Sequence, residues 1–105
     1  MATFKDVMAA LEDVPSTDRF DVGPAIFARR PWSPSSESLI LFEDVLSSAD
    51  HPGYDLVVEV AIAREVLEVW TAWRAGRIPS LEERAEAVLW YATHDAYQPV
   101  VDDPR

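Results

Sequence analysis

Prolines 15, 24, 31 and 34 fall within one short stretch of this chain. Proline lacks an amide donor and clashes with the preceding helical turn. No helix of ordinary length therefore fits between Val14 and Pro34, which confines helices to the two ends and leaves the middle to strands and loops. Ahead of Pro15, Phe4, Val7, Met8 and Leu11 recur at helical spacing behind Thr3, a suitable cap, so a first helix is expected to end at Val14-Pro15. Between Gly23-Pro24 and Pro31, only a brief extended piece is expected over Ala25 to Arg29, an edge strand at best.

Ser38 to Phe42 is a compact apolar run with the length of a buried strand, and Tyr54 to Val60 is a second β-rich run beyond the turn residues Asp50-His51-Pro52-Gly53. These two runs are expected to pair with each other. The following helix begins somewhere between Val58 and the residue after Ile62. It places Val66, Val69, Trp70 and Trp73 on one side, pairs Arg64 with Glu68, and ends near Gly76, with Arg74 and Arg77 at its negative end. Past Pro79, Ser80-Leu81-Glu82-Glu83 has the S-x-x-E form of a capping box, and Leu81, Ala85, Val88, Leu89 and Ala92 form a core stripe that Pro99 bounds. The prediction is one α+β domain over residues 1–105, with a small sheet of two or three strands packed against an N-terminal helix and two C-terminal helices, and a short flexible tail over 99–105.

The 105 residues include no cysteine, so neither a disulfide nor a thiolate zinc site can supplement the core. Four Trp, four Phe and three Tyr supply large buried areas per side chain, enough for packing alone to hold the fold. Neither a signal peptide nor a membrane span is expected, because the start is polar and the most apolar stretch, Leu56 to Ala63, is short and carries Glu59. The cytoplasm is the expected compartment.

Nineteen acidic against nine basic side chains give a formal charge of -10, a field that repels phosphate backbones and anionic headgroups, so no direct nucleic-acid or membrane partner is expected. The means for catalysis are sparse. His51 sits in a turn without a spaced partner, and neighbouring His94 and Asp95 point about 100° apart on a helix, unsuited to a shared metal. No nucleophile elbow, phosphate-binding glycine loop or paired-histidine zinc motif occurs. Adjacent acids at Glu43-Asp44, Glu82-Glu83 and Asp102-Asp103 read as solvated ends of elements. The expectation is a protein that is not an enzyme and uses neither cofactor nor metal.

From Pro31 through Ala63 there are six acids and no lysine or arginine. This run either keeps a small domain soluble or forms a docking face for a basic partner. Under the second reading Glu43, Asp44, Asp50 and Asp55 meet the partner's cations. Trp90, His94 and Tyr97, at i, i+4 and i+7 with Asp95 beside them, form an aromatic stripe that fills a pocket. The competing reading packs Trp90 and Tyr97 into the core, as is expected of Trp70 and Trp73; Trp32, between Pro31 and Pro34, either plugs the sheet or forms a recognition loop.

Trp32, Leu39-Ile40-Leu41 followed by Glu43-Asp44, and the ending Trp90-Tyr91-Ala92-Thr93-His94-Asp95-Ala96-Tyr97 together resemble a small bacterial family of unknown function with a tryptophan loop and an aromatic-Tyr-x-x-x-Asp-Ala-aromatic helix. In size, acidity and organisation the chain also resembles immunity proteins that neutralise bacterial toxins. What this second resemblance implies is an acidic module that inhibits a basic toxin domain by occlusion. The alternatives are a structural or regulatory subunit of a homodimer or larger homo-oligomer, and a DNA-mimicking anti-defence protein.

Overall fold

The computed structural model describes residues 2–14, 24–41 and 53–100. They form an α+β fold in which a three-stranded antiparallel sheet packs with one N-terminal and two C-terminal helices. Helix α1 spans Phe4–Ala10 and runs into a short 3-10 turn at Leu11–Asp13. Strands β1, β2 and β3 span Ala25–Arg29, Ser38–Leu41 and Tyr54–Glu59; helices α2 and α3 span Val60–Ala72 and Leu81–His94.

Both capped helix starts follow from the same chemistry. Thr3 accepts the Asp6 amide at 3.2 Å while the Asp6 carboxylate accepts the Thr3 amide at 2.8 Å. Ser80 and Glu83 make the same reciprocal pair at 3.2 and 3.0 Å, so two donors at each helix start that would otherwise lack partners are satisfied. Helix α2 begins at Val60, directly after β3 and without a side-chain cap. Its start is instead tied to the sheet by the Val60 amide, which donates to the Pro24 carbonyl at 2.9 Å.

The strand order is β2-β1-β3, which corrects two expectations. Ala25–Arg29 is the central strand and not an edge, and the runs at 38–41 and 54–59 both pair with it and not with each other. The prolines bracket β1 without interrupting it: Pro24 precedes its first residue and Pro31 follows its last by two, so every amide from 25 to 29 remains a donor. Ala25, Ile26, Phe27 and Ala28 are all buried, as a central strand covered on both faces requires. On β3, Val57 is an extra residue, because Ile26 faces Val58 while Phe27 faces Leu56.

Ile26 and Ala28 join Phe4, Met8, Val60, Ala63, Val66, Ala85 and Val88 in one apolar core. Helix α3 packs against both α1 and α2 at its centre. Arg64, expected to pair with Glu68, reaches from α2 to the 3-10 turn and donates to the carbonyls of Leu11, at 2.8 Å, and Val14. Arg74 serves the end of α2 as expected, donating to the Trp70 carbonyl at 3.1 Å, and it also holds the Gln98 and Pro99 carbonyls. Burial of its guanidinium and the neighbouring Arg77 charge lower the Arg74 pKa. Among the described residues no helix is long and apolar enough to cross a membrane.

Candidate functional site

The loop between β1 and β2 carries Trp32 and is tied down at several points. The indole Nε1 donates to the Ala28 carbonyl at 3.2 Å, and the Arg30 guanidinium lies 3.9 Å from the ring centroid. Ser36 accepts the Ser33 amide at 2.8 Å and donates to the Pro31 carbonyl at 2.9 Å. Pro34 in turn accepts the Lys5 amide of α1 at 3.0 Å. Trp32 is half-buried against the core and keeps a solvent-facing part.

Opposite this loop, Trp90 of α3 is half-buried and stacks on His94, one turn on, with centroids 3.9 Å apart and planes 19° apart. His94 Nδ1 lies 3.1 Å from the Trp90 carbonyl, which orients the ring along the helix end. Trp32, Pro34, Glu86, Trp90, Thr93 and His94 help to line an open cavity of about 360 Å³. Glu86 sits four residues before Trp90 and so shares its helix face. Sequence reasoning passed over Glu86, although its i, i+4 spacing from Trp90 was visible.

Tyr97 does not belong to this site. Asp95 closes α3 in the left-handed region at φ 53°, so the chain leaves the helix before Tyr97 and the i, i+7 stripe is broken. Tyr97 packs instead with Tyr91, at 5.4 Å, and Trp73, at 5.8 Å and 74°. Burial, then the charge of Glu65, raises its pKa. Trp70 is core as expected, but Trp73 is 51% exposed, because it lies beyond the last full turn of α2 and packs edge-on against Tyr97.

The acids divide in two. Asp55 pairs with Arg30 at 3.1 Å, and Glu37 pairs with Arg29 at 3.0 Å and accepts the Tyr54 hydroxyl at 3.2 Å, so these carboxylates of the acid-only run are matched by arginines at the end of β1. Hydrogen bonds from Arg29 to Tyr54 and Glu37 raise the Arg29 pKa. Glu43, Asp44, Asp50 and His51 lie outside the described residues. Lys5 pairs with Glu82, Arg77 with Glu83 and Arg84 with Glu12, so every described lysine and arginine is held by a carboxylate or a backbone carbonyl. Among the described residues Asp6, Asp13, Glu59, Glu65, Glu68, Glu86 and Asp95 have no ion-pair partner.

A second open groove of about 600 Å³ lies between the 3-10 turn, α2 and the Ile78-Pro79 link, with Leu11, Leu67 and Ala72 on its apolar walls. Ile78 on its rim is 74% exposed. Arg84 also lines it, and Arg84 Nε is buried without a hydrogen-bond partner. Among the described residues no group of three or more His, Asp or Glu is placed to hold a metal. Comparison with protein-family models, with curated proteins and with solved structures finds no match for this chain, so no residue's role is carried over from a relative.

Proposed function

We propose that this protein works by binding a basic protein, as a non-enzymatic, cytoplasmic inhibitor of the immunity type that occludes the cationic site of a bacterial toxin. The observation that carries this reading is the distribution of charge: each described cation is already engaged within the fold, while Glu59, Glu68, Glu86 and Asp95 face solvent with no counter-ion. A net charge of -10, with every described cation engaged, steers encounter with a positive surface, and the half-exposed Trp90 beside Glu86 provides an aromatic anchor. Glu43, Asp44 and Asp50 add to the same field. Asp55 contributes by exchange, since its pair with Arg30 is exposed on both sides and such pairs are worth only about 0–1 kcal/mol.

The experiment is co-expression with the product of the adjacent gene. Growth rescued by the wild-type chain, and lost on charge removal at Glu59, Glu68, Glu86 and Asp95 together, supports the proposal; no rescue and no association with that product refutes it.

A second reading, self-assembly, is favoured by one observation: Ile78 and Trp73 are 74% and 51% exposed, with Ile78 on the rim of the larger groove. Light scattering across concentration and salt separates the two, because an apolar homodimer persists at high salt.

A further inference from the structure

We infer that the cavity between Trp32 and Trp90 is a receptor for one arginine side chain of a protein partner. This rests on the binding reading above and narrows it to one residue type at one place. The molecule sets the pattern with its own arginines. Arg29 lies 4.5 Å from the Tyr54 ring centroid while its Nε meets Glu37 at 3.0 Å. Arg30 lies 3.9 Å from the Trp32 centroid while its Nε meets Asp55 at 3.1 Å. In both cases a flat guanidinium rests on an aromatic face and touches a carboxylate, which combines cation–π attraction with a charge-assisted hydrogen bond.

Trp90 and Glu86 present the same two components with no described arginine seated between them. Glu86 has no ion pair among the described residues, although Arg74 and Arg77 line a neighbouring pocket with it, and no described lysine or arginine lines the cavity between Trp32 and Trp90. His94 covers one face of Trp90 at 3.9 Å, so an incoming guanidinium takes the other. The walls are set in advance: Trp32 is fixed by its bond to Ala28 and Trp90 by its stack, which spares a ligand the entropy of ordering them. A planar guanidinium suits this space better than a compact ammonium, because it stacks and bonds a carboxylate at once. The aromatic cluster of Trp73 and Tyr97 does not offer this arrangement, since the two rings meet edge-on.

The test is an NMR titration of the full chain with N-acetylarginine amide, and separately with its neutral citrulline and cationic lysine counterparts. The expected result is saturable shifts at the indole N–H groups of Trp90 and Trp32 with arginine, weaker ones with lysine, none with citrulline, and no change at Trp73. Glu86→Gln, an exposed substitution that leaves packing intact, weakens the arginine response about three- to fivefold. Equal shifts from citrulline, an unchanged response in Glu86→Gln, or shifts centred on Trp73 overturn the inference. The two readings fail separately. Association with the adjacent-gene product that is unchanged in Glu86→Gln removes the arginine receptor and keeps the binding role. Arginine shifts at Trp90 without that association do the reverse.

Discussion

Arg30 meets Asp55 at 3.1 Å where the chain leaves β1, so a carboxylate from a sequence stretch with no basic residue finds its counter-ion one strand away. Arg29 and Glu37 repeat the relationship on the other side of β1. Charge read along a sequence and charge read on a surface therefore differ here. The sheet brings the two arginines that precede the acid-only run against two of its acids. The free negative charge among the described residues sits mainly on α2, α3 and their ends. Asp55→Asn is accordingly expected to lower stability by less than about 1 kcal/mol, since both partners are more than half exposed, as urea denaturation will measure.

Ile26, fully buried on the central strand, is the position where a shortened side chain costs most. Ile26→Ala is expected to destabilise by about 2–5 kcal/mol, with the same change at half-buried Ile40 of edge strand β2 costing clearly less. Denaturant midpoints of the two variants check the order; equal losses contradict the strand order β2-β1-β3.

The Ser80 cap is a local device with a local cost. Ser80→Ala removes the acceptor for the Glu83 amide and is expected to cost about 0.5–2 kcal/mol, or roughly 4–8 °C in melting temperature per kcal/mol, in a circular dichroism melt.

Acid should loosen both capping boxes. The backbone amides of Thr3 and Ser80 hold the Asp6 and Glu83 carboxylates below their ordinary pKa values. A carboxylate whose pKa is depressed in the folded state stabilises it above the unfolded pKa, and that contribution is lost as pH falls through the folded value. Stability is therefore expected to hold from neutral pH to about 5 and to decline below about 4, with a smaller decline in Asp6→Asn and Glu83→Gln. Denaturation midpoints across this range check the sign.

The elements with local codes were legible in the sequence. Thr3 and Ser80 with their acidic partners, the helical spacing of Phe4, Val7 and Met8, and the apolar run at Ser38 each specify a short stretch independently of the rest. What depends on distant residues was not legible. The place of Ala25–Arg29 at the sheet centre follows from pairing on both sides, and its flanking prolines read locally as signs of an edge. Of the stripe expected on α3, Trp90 and His94 stack one turn apart, but Asp95 in the left-handed region ends the helix and Tyr97 packs with Trp73. Aspartate tolerates that conformation, yet nothing nearby in the sequence marks it as the stop. Three of the acids expected to meet a partner, Glu43, Asp44 and Asp50, lie outside the described residues.

The central claim is that unneutralised carboxylates recruit a cationic protein. Its most direct measurement is the association rate with the adjacent-gene product as a function of salt, for the wild-type chain and for a variant carrying Glu59→Gln, Glu68→Gln, Glu86→Gln and Asp95→Asn. The account predicts a rate that falls steeply with ionic strength and a variant that is slower and less sensitive to salt. Identical rates for the two proteins at every salt concentration would contradict it.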